Sequence, residues 1–443
     1  MEAAAAERVD VADFIDRRPV GRFQVQIVCM CAAVLFADGF DTQAIGYVAP
    51  ELSRQWHIPR PALGPVLSAG LFGLMFGALL FSPIADRIGR KRLLLLSTAW
   101  FAVGTLATVL AQDTTELIAI RFLTGLGLGG AMPNAVALAA EYSPHRRRAT
   151  LVMLAFCGFS VGAAVGGWLA AALIPQFGWQ SVFVAGGLLP LLLVPVLALG
   201  LPESIRFLVL RRDQDVSVAS LLRRIDPGAQ VSTDAGFALS EETPSGVPVA
   251  ELFASGRLLP TLLIWVVFFM SLLDLYFLSN WLPTLMADLG ASVSTAALIG
   301  SMLQVGGFVA VLALGGVMDR FSFAGLALTY GAAAVAIAIV GRTSHSVQAA
   351  TAAIFVAGFC IVGAQTAANA LVAAFYPTAL RSTGVGWALG VGRIGSIVGP
   401  LLGGVLLAWK WGPPELFLVA ALPAAIATAA AAGLWWQRRA RAA

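Results

Sequence analysis

Shifted by 233 residues, the chain falls on itself. Asp41, Pro50, Asp86, Arg87, Pro144 and Arg148 land on Asp274, Pro283, Asp319, Arg320, Pro377 and Arg381, and Gly73, Gly125, Gly162 and Gly166 land on Gly306, Gly358, Gly395 and Gly399. Charge and proline are scarce here, so six such matches at one offset mark two tandem copies of one unit. Any fold must be built twice and joined, and paired membrane repeats of this kind rock about a site between them.

The copies belong in a membrane. The chain is 59% hydrophobic and 12% charged, against roughly 25% charged for a soluble domain. A spanning helix needs about 20 apolar residues. Twelve such runs are expected, at 23–49, 62–84, 92–111, 115–138, 150–173, 181–201, 258–283, 293–318, 322–341, 347–373, 383–408 and 415–436. These runs are continuously apolar rather than alternating, which disfavours a β-barrel. The expected fold is an all-α membrane protein with twelve transmembrane helices in two six-helix pseudo-repeats.

Orientation follows from the cations. With both termini cytoplasmic, the outer loops hold only Arg54, Arg60, Arg342 and Lys410, Arg121 and Arg393 fall inside spans, and the rest of the 28 lie on the inner side. The basic balance therefore sets topology and gives no case for nucleic-acid binding. The expected divisions are a cytoplasmic tail at 1–22, an N-terminal half at 23–201, a cytoplasmic linker at 202–257, a C-terminal half at 258–436 and a tail at 437–443. The linker, with Asp226-Pro227-Gly228 and Pro244-Ser245-Gly246, reads as partly helical or flexible. The first span has no cleavage signal and is expected to stay as an anchor. Cys29, Cys31, Cys157 and Cys360 lack metal or redox spacing and fit apolar packing. His57, His145 and His345 all fall in loops. No cofactor or metal site is expected.

A charge at lipid depth costs about 2.5–3.5 kcal/mol on insertion scales and usually serves a cavity. Five residues accept that cost: Asp38, Asp41, Arg121, Asp274 and Arg393. Asp38 and Asp41 share one face of the first span, and two carboxylates in low dielectric do not both ionise cheaply. One of them is expected to exchange a proton; the alternative is an arginine pair that simply joins spans 1 and 4. Arg121, at matching depth, favours an ionised neighbour, through a pair that either opens during a cycle or stays shut. Arg393 offers a planar fork suited to an organic carboxylate, with Asp274 as the other candidate partner. Asp274 is followed by Tyr276, Asn280 and Trp281, which supply a hydroxyl, an amide and an aromatic face; Trp281 also reads as an interface anchor.

In the loop between spans 2 and 3, Asp86, Arg87, Gly89 and Arg90 form a turn that the cations hold inside. Asp86 is placed to dock on the positive end of span 11, near Arg381, and Asp319 with Arg320 to do the same at span 5, as gating contacts of about 0.3–2 kcal/mol. Gly125-Leu-Gly127-Leu-Gly129-Gly130 follows no strand, so it reads as close helix packing and not a dinucleotide loop. A Gly-Lys-Ser/Thr phosphate loop is missing from the sequence, against an ATP-driven pump.

Loop 2–3, together with Arg121 and the glycines after it, resembles the major facilitator superfamily. More narrowly, Asp38-Gly-Phe-Asp41-Thr-Gln-Ala-Ile-Gly-Tyr47-Val-Ala-Pro50 resembles the first helix of its aromatic acid:proton symporter family. Tyr376-Pro377, Arg381-Ser-Thr-Gly384-Val-Gly386-Trp387 and Gly392-Arg393-Ile-Gly395-Ser-Ile-Val-Gly399-Pro400 resemble that family's helices 10 and 11. Pro202-Glu203-Ser204 is shared more widely. The resemblance covers nearly the whole chain outside the linker and tails. It implies proton-driven import of a benzoate-like acid, such as 4-hydroxybenzoate or protocatechuate, across a bacterial inner membrane. It also implies that Asp38, Asp41, Asp86, Arg381 and Arg393 are required. An acid at position 274 departs from the family pattern.

The expected mechanism is alternating access by a functional monomer in the lipid bilayer. Arg393 holds the anion, Phe40, Tyr276, Trp281 and Trp387 supply aromatic contact, and a proton rides on Asp41 or Asp38. Three other readings remain. A non-aromatic organic anion is one. A proton-driven exporter is another, although the helix-5 Gly-Pro pair of exporters is missing from 150–173. A transporter-like receptor is the third, and it would need a longer signalling segment. An enzyme is least expected, because no catalytic set is present.

Overall fold

The computed structural model describes residues 9–211, 215–229, 236–238, 249–254, 256–342 and 346–442. Twelve of its helices are long and apolar enough to cross a membrane. The N-terminal half is α2 (Arg22–Gln55), α3 (Leu63–Ile88), α4 (Arg90–Ala107), α5 (Thr114–Glu141), α6 (His145–Phe177) and α7 (Gln180–Gly200). The C-terminal half is α10 (Leu258–Asp288), α11 (Val293–Ala313), α12 (Gly315–Val340), α13 (Val347–Phe375), α14 (Thr378–Ala408) and α15 (Pro413–Ala442). Many of these helices overrun the apolar windows by a turn or more. Hydrophobicity marks where lipid begins, whereas the hydrogen-bond ladder runs on until something caps it. Asp113 caps α5 on the Glu116 amide at 2.8 Å, Ser292 caps α11 on Thr295 at 3.1 Å, and Ser346 caps α13 on Ala349 at 3.3 Å.

The repeat survives at the level of single contacts. A Cβ on Gly73, Gly125 or Gly162 would strike the carbonyl of Phe122, Gly70 or Phe36. At the same 233-residue offset, a Cβ on Gly306, Gly358 or Gly395 would strike the carbonyl of Phe355, Leu303 or Phe269. These glycines let α3 meet α5, α2 meet α6, α11 meet α13 and α10 meet α14 backbone to backbone, where lipid offers helices no hydrophobic incentive to associate. Gly162→Val and Gly395→Val are each expected to destabilise by about 1–3 kcal/mol, through overpacking against main chain that cannot yield. Gly390→Ala, at a position with nothing within 4 Å of the new methyl, should leave the thermal midpoint in detergent unchanged.

Three large cores show how the halves sit. One spans both halves at the end away from the termini, joining Tyr47, Leu63 and Trp179 to Trp281, Leu303 and Phe417. The other two are separate, one within each half, at the end that carries the termini. At the joined end Ser68 donates to the Ile397 carbonyl at 3.2 Å, Ser294 donates to Ala171 at 2.8 Å, and Arg60 pairs with Asp288 at 2.6 Å. The bundle is therefore shut at the far end and parted at the termini end.

The described parts of the N-terminal segment and of the linker pack on the helices. Strand β1 (Val9–Asp10) pairs in parallel with β2 (Phe237–Ala238). Helix α1 (Val11–Asp16) buries Val11, Phe14 and Ile15, while α8 (Ile205–Leu210) and α9 (Asp215–Ile225) bury Ile205, Leu208, Val218, Leu222 and Ile225 in the core of the N-terminal half. Arg18 reaches Asp226 at 2.6 Å and holds its carboxyl below the usual carboxylate range. His145 donates its amide to Asp16 at 2.5 Å, and the Arg224 guanidinium lies 4.1 Å from the Phe23 ring centroid. The described residues from Val9 to Asp16 and from Ile205 to Ile225 thus form a cap fixed to the N-terminal half, whereas Leu252 at the other end of the linker packs in the core of the C-terminal half.

Candidate functional site

Asp38 and Asp41 leave α2 on one face yet enter different environments. Asp41 is fully buried and met by a fork: Arg121 donates Nη1 to Oδ1 and Nη2 to Oδ2, both at 3.0 Å, and Nη2 also to the Asp41 carbonyl at 3.1 Å. The Thr105 hydroxyl adds a bond to Oδ1 at 2.6 Å. Arg121 is 2% exposed. This geometry fixes both partners and clamps α2 to α4 and α5. Asp38, 0% exposed, receives one bond among the described residues, from Thr42 at 3.0 Å, and its Oδ2 has no partner among them. Thr42 lies four residues along the same helix, a spacing that places it over Asp38.

Arg393 of α14 reaches into the space between the halves. Its Nη2 lies 3.6 Å from the Met132 sulfur of α5, and it is within electrostatic reach of Tyr276 and Asp38. Among the described residues its guanidinium forms no ion pair, and it is half-buried. Asp274 is not its partner: that carboxyl is 1% exposed inside the C-terminal half, and both its oxygens are unpartnered among the described residues. Asn280 gives its amide to the Tyr276 carbonyl at 2.8 Å, leaving its own buried Oδ1 without a donor. Leu71, Leu272, Tyr276 and Ile397 form a small apolar cluster across the halves beside this group. Arg393, Asp38, Tyr276 and Asn280 thus gather where α2, α10 and α14 meet.

The aromatic expectations fare differently. Phe40 packs against Gly166 and Gly186 inside the N-terminal half, so it lies away from Arg393. One residue along a helix is a rotation of about 100°, so sharing α2 with Asp38 does not place Phe40 on the same face. Trp387 is 45% exposed and stacks on Trp265, with ring centroids 5.8 Å apart, towards the open end. Trp281 is buried and donates Nε1 to the Pro400 carbonyl at 2.8 Å, which binds α10 to α14 rather than anchoring at an interface.

The loop between α3 and α4 is held by residues distant in sequence. Gly89 adopts φ +99°, and a side chain there would also strike the Glu203 carboxylate. Glu203 accepts from the Lys91 amide at 2.8 Å, Arg90 pairs with Glu141, and Ser204 donates to Glu141 at 2.7 Å. The Arg87 carbonyl accepts from Arg211 at 3.0 Å. Thr42, Thr105, Glu141 and Glu203 neighbour these groups without being charges at lipid depth, the signal that marks the others, although Glu203 lies in Pro202-Glu203-Ser204. Asp86 and Arg381 are both exposed and make no ion pair among the described residues. The side chains of Asp319 and Arg320, and His345, lie outside the described residues.

Two six-helix halves joined at one end, with buried charge at the seam, define a secondary membrane transporter, and the chain belongs to the Major Facilitator Superfamily, whose profile matches residues 31–262 and 264–443. It is a multi-pass inner-membrane protein and not an enzyme. It is 45% identical to the 4-hydroxybenzoate transporter PcaK of Pseudomonas aeruginosa, over 96% of each chain. It is 42% identical to the gallate transporter of Pseudomonas putida, over 94% of this chain and 93% of that one. Among solved structures it shares its fold with the partially occluded inward-open conformation of the xylose transporter XylE from E. coli, with TM-score 0.71, 16% identity and coverage of 92% and 98%.

Proposed function

We propose that the chain is a proton-coupled symporter that imports an aromatic carboxylate, 4-hydroxybenzoate or a close hydroxylated benzoate, as a monomer with both termini cytoplasmic. The observation that carries this reading is Arg393, a guanidinium at the seam with no ion-pair partner among the described residues, set against Tyr276 and facing Asp38. The names of the relatives, transporters of 4-hydroxybenzoate and gallate, support the substrate class. With the termini inside, the parted end faces the cytoplasm and the structure is the inward-open state.

One guanidinium couples the two cargoes. An ionised Asp38 competes with the substrate carboxylate for Arg393. A proton on Asp38 removes that competitor, so anion and proton enter together, and by linkage each favours the other. The pair crosses when the far end closes and the termini end opens. Loss of the Asp38 proton to the cytoplasm restores the competing carboxylate, which takes Arg393 and expels the anion. Asp41 plays no part in this exchange, because Arg121 and Thr105 already occupy its oxygens.

Labelled 4-hydroxybenzoate in proteoliposomes under an inward pH gradient should accumulate, and a protonophore should abolish the accumulation. Arg393→Lys keeps the charge but loses the fork, and is expected to weaken substrate binding about 10–100-fold. Wild-type uptake by Arg393→Ala would end the proposal.

A further inference from the structure

The repeat that built Asp41 also built Asp274, and only one of them was given partners. The N-terminal carboxyl is held by Arg121 from α5 and Thr105 from α4. At the same 233-residue offset those two positions are Ile354 and Ala338. Asp274 accordingly sits 1% exposed with both oxygens unpartnered among the described residues. The groups that face it are few. Tyr330 from α12 is within electrostatic reach, and Ser271 lies one turn away on its own helix. Arg393 from α14 is turned to Tyr276 and Asp38. From α2, Asp41 is locked to Arg121 and Asp38 lies across the seam. Helices α11 and α13 carry no charged residue, Cys360 being the one thiol on α13, and the charges of α15 lie at its ends.

An uncompensated carboxylate ion in such a site costs several kcal/mol, so the group is held as the neutral acid. A neutral acid that makes no hydrogen bond among the described residues adds nothing to the fold, and leucine would serve packing better. The residue makes sense as a proton store. One turn nearer the termini end, Tyr330 donates to the Ser271 hydroxyl at 2.8 Å, a hydroxyl pair placed to take that proton onward.

We propose that Asp274 is a second proton-carrying residue, in the C-terminal half, so that each cycle moves two protons with one substrate anion. This rests on the proton-coupled reading above. The proton binds the Asp274 carboxylate on the outer side of the cycle and leaves through the Tyr330–Ser271 pair, so one anion and two protons carry one net positive charge inward.

The test counts charge. Wild-type proteoliposomes, with labelled 4-hydroxybenzoate and the current measured together, are expected to move one positive charge per substrate anion. Asp274→Asn and Asp274→Leu are expected to take up substrate with no net charge, with Asp274→Leu keeping or raising the wild-type thermal midpoint. The pH dependence of substrate binding, which belongs to Asp38, should be unchanged in both. An unaltered charge per substrate in these variants, or electroneutral uptake by the wild type, would overturn the inference. A second readout needs no substrate: the infrared carbonyl band of a buried carboxylic acid at neutral pH should vanish in Asp274→Asn. If that band is absent from the wild type, the inference falls. If it is present while none of the hydroxybenzoates is carried, the substrate reading falls and the Asp274 proton stands.

Discussion

Asp38→Asn should lower the accumulation of substrate about 100-fold under a gradient of two pH units, while exchange of internal for external substrate continues. The amide is permanently neutral and close to the acid in shape. It keeps the bond from Thr42 and never competes for Arg393. Substrate binding therefore becomes indifferent to pH, and one proton is lost from each cycle. Each pH unit stands for about 1.36 kcal/mol per coupled proton, a factor of ten, so two units for one proton give the expected loss. The check is labelled uptake with the membrane potential clamped, beside counterflow in the same vesicles. A variant that accumulates like the wild type would place the coupling elsewhere.

Arg121→Leu should cost about 3–5 kcal/mol and remove most of the folded protein, because it leaves Asp41 buried and uncompensated. The double variant Asp41→Leu with Arg121→Leu should recover both the thermal midpoint and uptake, since replacing a buried ion pair with apolar side chains is often neutral. The two outcomes separate a lock from a switch. The bidentate fork, the bond to the Asp41 carbonyl and the Thr105 hydroxyl favour the lock. A double variant that is stable but does not transport would instead mean that the pair must open in every turnover.

The architecture was legible because the sequence writes it twice. Apolar runs give the helices, the inner-side arginines suggest the orientation, and the glycine matches foretell backbone contacts that recur at one offset. The site was legible only in part. Charges at lipid depth stand out wherever they occur, so Asp38, Asp41, Arg121, Asp274 and Arg393 could be named in advance. Which of them meet is decided by helix rotation and by the seam between halves, and neither has a local signal. Arg393 turning to Asp38 rather than Asp274, and Phe40 turning inward to Gly166 and Gly186, are facts of tertiary packing. The cap was missed for a different reason. In α9, Val218, Leu221, Leu222 and Ile225 recur at helical spacing, which was a readable sign of a buried face. Against so much hydrophobic sequence, an amphipathic eleven-residue helix looked merely polar.

That cap also sets a timetable for assembly. The strand at residues 9–10 closes on residues 237–238, and Arg18 closes on Asp226. At 5–20 residues per second, the ribosome delivers that partner some tens of seconds after the first strand has emerged. By then all six helices of the first half have been made and α10 has not begun. The tail can therefore fasten only once its own half is complete, a clasp that shuts before the second copy reaches the membrane and that would keep the two look-alike sets of helices from being shuffled.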